Sequence, residues 1–303
     1  MVLGPDTPVT TTDTSSGSPT EQSDGVPGAH GPGAPAGPAP LDGEPVLQLR
    51  KIGKSFGSVR ALTDIDLAVP AGKVTALVGD NGAGKSTLIK AISGISPPDE
   101  GEIVWQGRPV HVRTPKDAAA LGIATVYQDL ALCDNLDIVQ NMYLGREIVA
   151  RRLLDESAME LGAKRALAEL SVVTVRSIRQ AVGSLSGGQR QAVAVAKAVM
   201  GNARLVILDE PTAALGVSQT AMVLDVIAHL AERGVAVLVI SHNLTDVFAV
   251  ADYIAVLYLG RIAGSGPAAD FDTHSTVELI TTGRASRPGA LVPDTSAVTG
   301  APS

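Results

Sequence analysis

The sequence predicts an α/β fold organised around a parallel sheet, and three observations predict it. "KVTALVG" (Lys73–Gly79) is an apolar run of strand length that passes directly into "GDNGAGKST" (Gly79–Thr87) and then into a helical stretch. "ARLVILDEP" (Ala203–Pro211) and "GVAVLVISH" (Gly234–His242) are dense in β-branched and aliphatic residues. They read apolar on both faces, as strands covered by helices on both sides do. Between them, "TAMVLDVIAHLAERG" (Thr220–Gly234) reads as the crossover helix that parallel neighbours require.

The elements follow in order. "PVLQLRKIGKSFGSVRALTDIDLAV" (Pro45–Val69) reads as short strands with a turn at Gly57-Ser58, a small antiparallel β subdomain. "KSTLIKAISG" reads as a helix closed by Gly94. "GIATVYQ" (Gly122–Gln128) is a further strand. The alternation then breaks at about Leu130. The amphipathic stretch "DESAMELGAKRALAELS" (Asp155–Ser171) and the helix after Ser186 make residues of about 130–202 an inserted helical subdomain. Trp105 has no motif around it and reads as a packing residue, and no internal repeat is visible.

Composition bounds the rest. Apolar residues are 45% of the 303 and aromatics 3%, so a sizeable core is built from Ala, Val, Leu and Ile. Residues 1–44 hold eight Pro, eight Gly, many Ser and Thr, and no aromatic residue. Such a segment buries too little apolar surface to offset chain entropy and reads as a disordered acidic tail. Residues 286–303 read as a flexible C-terminal tail, leaving 45–285 as one globular body. The net charge is −7, of which Asp6, Asp13, Glu21, Asp24, Asp42 and Glu44 supply −6, so the body stands at −1. That lacks the basic footprint of a nucleic-acid binder, and no nucleic-acid partner is expected. Cys133 is the single cysteine, read as a core or loop residue, and no Cys/His cluster offers a zinc site. No run approaches the ~18 apolar residues that span a bilayer. The N-terminus does not read as a secretory signal, so membrane attachment is expected through a partner.

The chemistry-bearing residues come in two clusters. Gly79, Gly84, Lys85 and Ser86 match the phosphate-loop pattern G-x-x-x-x-G-K-[ST], with a strand before and a helix after. Backbone N–H groups along Gly79, Asp80, Asn81, Gly82, Ala83, Gly84, Lys85, Ser86 and Thr87 are placed to cradle ATP phosphates. Lys85 offers a point charge, and the Ser86 hydroxyl can ligate Mg²⁺. "LVILDE" ends a buried strand with two acids. Asp209 can hold Mg²⁺ through water, and Glu210 can orient or deprotonate the attacking water. A second anion-binding helix end, "SLSGGQRQAVAVAKAV" (Ser184–Val199), has its Ser186 101 residues beyond Lys85.

That second turn resembles the signature of the ABC ATPase family, carried here by Leu185, Ser186, Gly187, Gly188 and Gln189. The resemblance covers essentially all of 45–285, with the motifs in the family's order. It implies a P-loop NTPase with a RecA-like parallel sheet core, and a second site that completes the ATP site of another copy in trans. Gln128, in "TVYQDLAL", matches the glutamine that touches Mg²⁺ or the attacking water. His242, in "VISHN", matches the histidine that contacts the γ-phosphate, and Phe56, in "KSFGSVRAL", falls where the family places an adenine-stacking aromatic. After "LDEPTAAL" the family usually has Asp in a loop crossing the dimer interface, whereas this chain has Gly216, which alters that cross-subunit contact.

"GDNGAGKST", "TAALG" and "VYQDLALCDNLDIVQNMYLGRE" are similar to the family's carbohydrate-importer branch, in its single-ATPase-domain form. The resemblance implies the motor of a monosaccharide importer, peripheral on the cytoplasmic face of the membrane. The implied partners are a second copy or a paired ATPase subunit, a membrane permease and an extracytoplasmic sugar-binding protein. A motor for amino acids, lipids or drugs is the alternative within transport. A non-transport ABC ATPase acting on ribosomes or DNA is the alternative outside it.

Overall fold

The computed structural model describes residues 45–170, 175 and 177–284. The segments read as tails, 1–44 and 286–303, lie outside the described residues.

Strands β1 (Pro45–Phe56) and β2 (Val59–Pro70) pair antiparallel around the expected turn, but each is twelve residues long rather than short. β3 (Val74–Gly79) is buried along its whole length and feeds α1 (Lys85–Ile92). The helix ends at Ile92, with Gly94 just beyond it at φ 73°. β4 (Glu100–Trp105) returns to β1, and β5 (Arg108–Val110) continues it. They complete an antiparallel sheet of order β2-β1-β4-β5. α2 (Pro115–Leu121), opened by a Thr114–Asp117 capping box, leads to β6 (Ile123–Val126). β6 stops before Gln128, which therefore sits in a loop.

The interval expected to be helical holds α3 (Ile138–Tyr143), α4 (Glu156–Glu169) and α5 (Gly187–Val199). It also holds a hairpin that the pattern did not predict, β7 (Val149–Ala150) with β8 (Leu153–Leu154). Its two turn residues, Arg151 and Arg152, take φ of 50° and 71°, the left-handed pair a two-residue hairpin loop needs. Neither is a usual turn residue, so no Gly or Asn marked the turn. Asn141 is fully buried and ties the preceding loop. Its side chain accepts from the Cys133 N–H at 2.7 Å and donates to the Cys133, Leu136 and Asp137 carbonyls.

The chain continues through β9 (Leu205–Asp209), α6 (Val217–Glu232), β10 (Ala236–Ile240), α7 (Leu244–Val250), β11 (Tyr253–Tyr258), β12 (Arg261–Pro267) and α8 (Thr273–Thr282). α6 starts three residues before the predicted Thr220. Gly216 takes the N-cap, with its carbonyl already accepting from the N–H groups of Gln219 and Thr220. The main sheet has the order β12-β11-β3-β10-β9-β6. β11, β3, β10, β9 and β6 run parallel, and β12 is an antiparallel edge.

Burial on both faces explains the continuous apolar runs. Val206, Leu208, Val237 and Val239 face the cluster built with α5 and α6, while Leu205, Ile207, Leu238 and Ile240 face the cluster built with α1 and the antiparallel sheet. Trp105 packs in the latter, as its lack of a motif suggested. Because β3, β10, β9 and β6 are parallel, the loops after Gly79, Ile240, Asp209 and Val126 all leave one edge of the sheet. In sheets of this kind that edge is where ligands bind.

Candidate active site

The loop after β3 is shaped by close backbone approaches. A Cβ on Gly79 would lie 2.4 Å from the Leu257 carbonyl oxygen of β11, so only glycine lets the two strands close there. Gly84 caps α1 at φ 111°, a conformation that L side chains rarely adopt. The Ala83 N–H donates to the Asp80 carbonyl at 3.1 Å. The Lys85 ammonium curls under the loop, donating to the carbonyls of Gly79 at 2.6 Å and Asp80 at 3.0 Å. Lys85 is buried, and those two carbonyls satisfy its charge against the loop.

Around this loop lies a cleft of about 250 Å³ lined by Asp80, Asn81, Gly82, Gly84, Lys85, Ser86, Thr87, Gln128, Asp209 and Glu210. The structure thus brings together, from three strand ends, most of the residues singled out in the sequence. Gly79 and Ala83 lie under the loop, and Ala83 is buried. A larger cleft of about 340 Å³, between α2 and Arg146, holds none of the phosphate-loop residues.

The acids at the end of β9 differ in environment. Asp209 is half-buried, and burial pushes its carboxyl above the usual carboxylate range. The Glu210 charge adds to that shift, and Lys85 and Lys90 oppose it. Glu210 sits at φ 50°, the left-handed region, with its N–H donating to the Ile240 carbonyl at 2.9 Å. That backbone turn swings its side chain toward β10. Its Oε2 lies 2.8 Å from His242 Nδ1, although 32 residues separate them in the chain. No spacing rule predicts this pairing; it follows from the adjacency of β9 and β10.

Three sequence-predicted groups stand outside the cleft lining: His242, which meets it through Glu210, Phe56, and the signature residues. Phe56, at the end of β1, is half-exposed, with the Lys54 ammonium 5.6 Å from its ring centroid. The signature residues stand at the start of α5. Ser186 is the N-cap, accepting from the Gln189 N–H, while the Gln189 side chain accepts from the Ser186 N–H at 2.9 Å. Gly187 and Gly188 have a packing role that the sequence did not reveal. Added Cβ atoms would lie 2.7 Å from Leu215 Cδ2 and 3.0 Å from Gln219 Cβ. The signature turn is therefore locked against the loop that follows Glu210 and against the first turn of α6.

The family model described as ABC transporter matches residues 62–213. The fructose import ATP-binding protein of Rhizobium meliloti is 49% identical over 225 residues, covering 72% of this chain and 86% of that protein. The xylose/arabinose import ATP-binding protein of Sulfolobus acidocaldarius is 43% identical, covering 78% and 94%. A ribose import ATP-binding protein of Escherichia coli O157:H7 is 38% identical, and the match spans 44% of its length. Among solved structures, a nucleotide-free ATP-binding cassette from an ABC transporter superposes with a TM-score of 0.67 at 26% identity, covering 74% of this chain and 92% of that one. Phosphate loop, paired strand-end acids and signature turn thus occur together on the fold of these proteins, and the chain belongs to the ABC transporter family as an ATP-binding, ATP-hydrolysing subunit.

Proposed function

We propose that this chain is the ATP-driven motor of an importer for a monosaccharide of the fructose, xylose or ribose kind. The observation that carries the hydrolytic part is the Glu210–His242 contact of 2.8 Å at the edge of a cleft that also holds Lys85 and Asp209. The names of the relatives in fructose, xylose/arabinose and ribose import support the sugar part.

In this reading ATP lies along Gly79–Thr87, with Lys85 exchanging its carbonyl contacts for the outer phosphates and Phe56 against the base. The donor set suits Mg²⁺: the exposed Ser86 hydroxyl and the Asp209 carboxylate line one cleft, and hard cations prefer oxygen. Among the described residues no cluster of three or more His, Cys, Asp and Glu forms, so phosphate oxygens and water complete such a site. When bound, the ion neutralises charge on the transferring phosphoryl group. Glu210 accepts a proton from the attacking water, whose oxygen bonds to the γ-phosphorus as the bond to the bridging oxygen breaks. ADP and phosphate leave. His242 steadies the Glu210 carboxylate and faces the γ-phosphate, and Gln128 orients the water or the ion.

Ser186, Gly187, Gly188 and Gln189 serve the ATP of a second copy, so two subunits close head-to-tail. Closure requires that ATP bind the closed dimer more tightly than the open one. A permease couples that motion to sugar delivered by an extracytoplasmic binding protein. No helix among the described residues is long and apolar enough to cross a membrane. In this reading the motor reaches the cytoplasmic face of the membrane by docking to the permease.

Uptake tests the whole reading. A host deleted for the chain is fed labelled pentoses, hexoses and amino acids. Loss of one sugar, restored by the wild type and not by Glu210→Gln, supports it. Uptake of an amino acid lost instead, or co-purification with ribosomes, overturns it.

A further inference from the structure

His242 is poorly fixed by packing. Its side chain is 66% exposed, and the contact that holds it is the one to Glu210. Its position is therefore set by what anchors the chain on either side of it. On one side is β10. On the other is α7, seven residues long, held to the sheet through Val247 and the partly buried Leu244 and Phe248. Glu210 stands at the start of a tight turn in which the Ala213 N–H donates to Glu210 and the Leu215 N–H to Thr212.

One buried bond joins these two segments. The Thr212 hydroxyl donates to Asp246 Oδ2 at 2.6 Å. Thr212 is two residues beyond Glu210, and Asp246 is four residues beyond His242. Both are less than one-tenth exposed, and Asp246 forms no ion pair among the described residues. Ionised, it is an acceptor in a place that water hardly reaches, and Thr212 is its side-chain partner.

Apolar contact alone would hold α7 down, but it would tolerate sliding. A short, charge-assisted hydrogen bond is directional and does not. We infer that Thr212 and Asp246 are positioning residues: their bond locks the turn bearing Glu210 to the helix bearing His242, and so fixes the imidazole against the carboxylate. The same turn runs on to Gly216, which has no side chain with which to hold the loop. This inference rests on the reading of Glu210 and His242 as the hydrolytic pair.

The test is ATP hydrolysis by the full chain, with kcat and KM separated. Thr212→Val keeps the shape and removes the donor. It lowers kcat about tenfold or more, as a misplacement of catalytic groups does, with KM for ATP little changed. Thr212→Ser, which keeps the hydroxyl, recovers most of the rate. In a His242→Ala background, measured by single turnover, Thr212→Val costs less than about twofold, because the residue it positions is gone. A merely structural role would multiply the two losses, and that result overturns the inference.

Should Thr212→Val fold poorly, Thr212→Val/Asp246→Leu leaves no orphaned polar group. Replacing both partners by apolar groups is close to neutral for folding. The double variant keeps the tenfold loss; wild-type kcat in it also overturns the inference. Glu210→Gln separates the two levels. If that variant hydrolyses ATP at the wild-type rate, the hydrolytic reading itself fails, and the inference with it. If it is inactive while Thr212→Val is fully active, only the inference fails.

Discussion

Replacing Gly216 by Asp should stabilise the protein, and the structure says by roughly how much. Gly216 is the N-cap of the 16-residue α6, at φ −76° and ψ 164°, with no side-chain cap bond. Those angles are ordinary for an L residue, and an added Cβ would meet nothing within 4 Å. An Asp carboxylate there can accept from the N–H of Ser218 or Gln219 and meets the positive end of the helix. Asp at an N-cap is worth only a few tenths of a kcal/mol over Gly but about 1 kcal/mol over Ala. Removing the glycine's freedom from the unfolded chain adds about 0.4–1 kcal/mol to either replacement. Gly216→Asp should therefore gain about 0.5–1.5 kcal/mol, and Gly216→Ala should stay near neutral, because its two effects oppose. At about 2–4 °C per kcal/mol for a body of this size, the Asp variant melts about 1–6 °C higher than wild type. Nucleotide-free thermal melts of the three proteins at low and high salt check it, the Asp advantage shrinking with salt. An Asp variant that melts no higher than the Ala variant would refute the capping argument.

Other perturbations follow from the site. Lys85→Ala leaves the Gly79 and Asp80 carbonyls without their donor and removes the cation facing the phosphates. ATP affinity measured by calorimetry should fall at least tenfold, in line with the ~1.5–3 kcal/mol of a hydrogen bond to a charged group. Unchanged affinity would sink the phosphate-loop assignment. For Asp209, burial raises the folded-state pKa above the unfolded one. Its contribution to stability is thus full below the unfolded pKa and is lost as pH rises through the folded one, so at neutral pH the charged group destabilises. Asp209→Asn should melt higher than wild type at pH 7, and the gain should vanish below about pH 4; a gain independent of pH would contradict the burial argument. Glu210→Gln, mixed with ATP and Mg²⁺, should sediment as a dimer that the wild type does not accumulate.

Much of the site was legible in the sequence because local chemistry makes it. A phosphate loop needs glycine where backbone approaches backbone and Lys within reach of the loop carbonyls. These residues are contiguous, and the strand before and the helix after them carry their own periodicity. The acids of β9 were legible for the same reason, standing at the end of an apolar run. The signature turn was visible as a serine and two glycines just before a helical stretch, while its reciprocal Ser186–Gln189 cap came from the structure. What the pattern missed was what long-range packing sets. The β7–β8 hairpin turns on two arginines, and the ends of β6 and α6 shift by a few residues because a loop or a cap ends them.

The sequence by itself determined the α/β class, the loop that cradles phosphate, the strand-end acids and the family that these imply, because each is written in neighbouring residues or in a period. Only the tertiary structure decided that β9 lies beside β10, so that Glu210 meets His242, that Gly187 and Gly188 are needed for contact with Leu215 and Gln219, and that Thr212 reaches Asp246. Those contacts join residues some 30 positions apart. Strand order and helix packing create them, and no local propensity encodes which strand becomes whose neighbour.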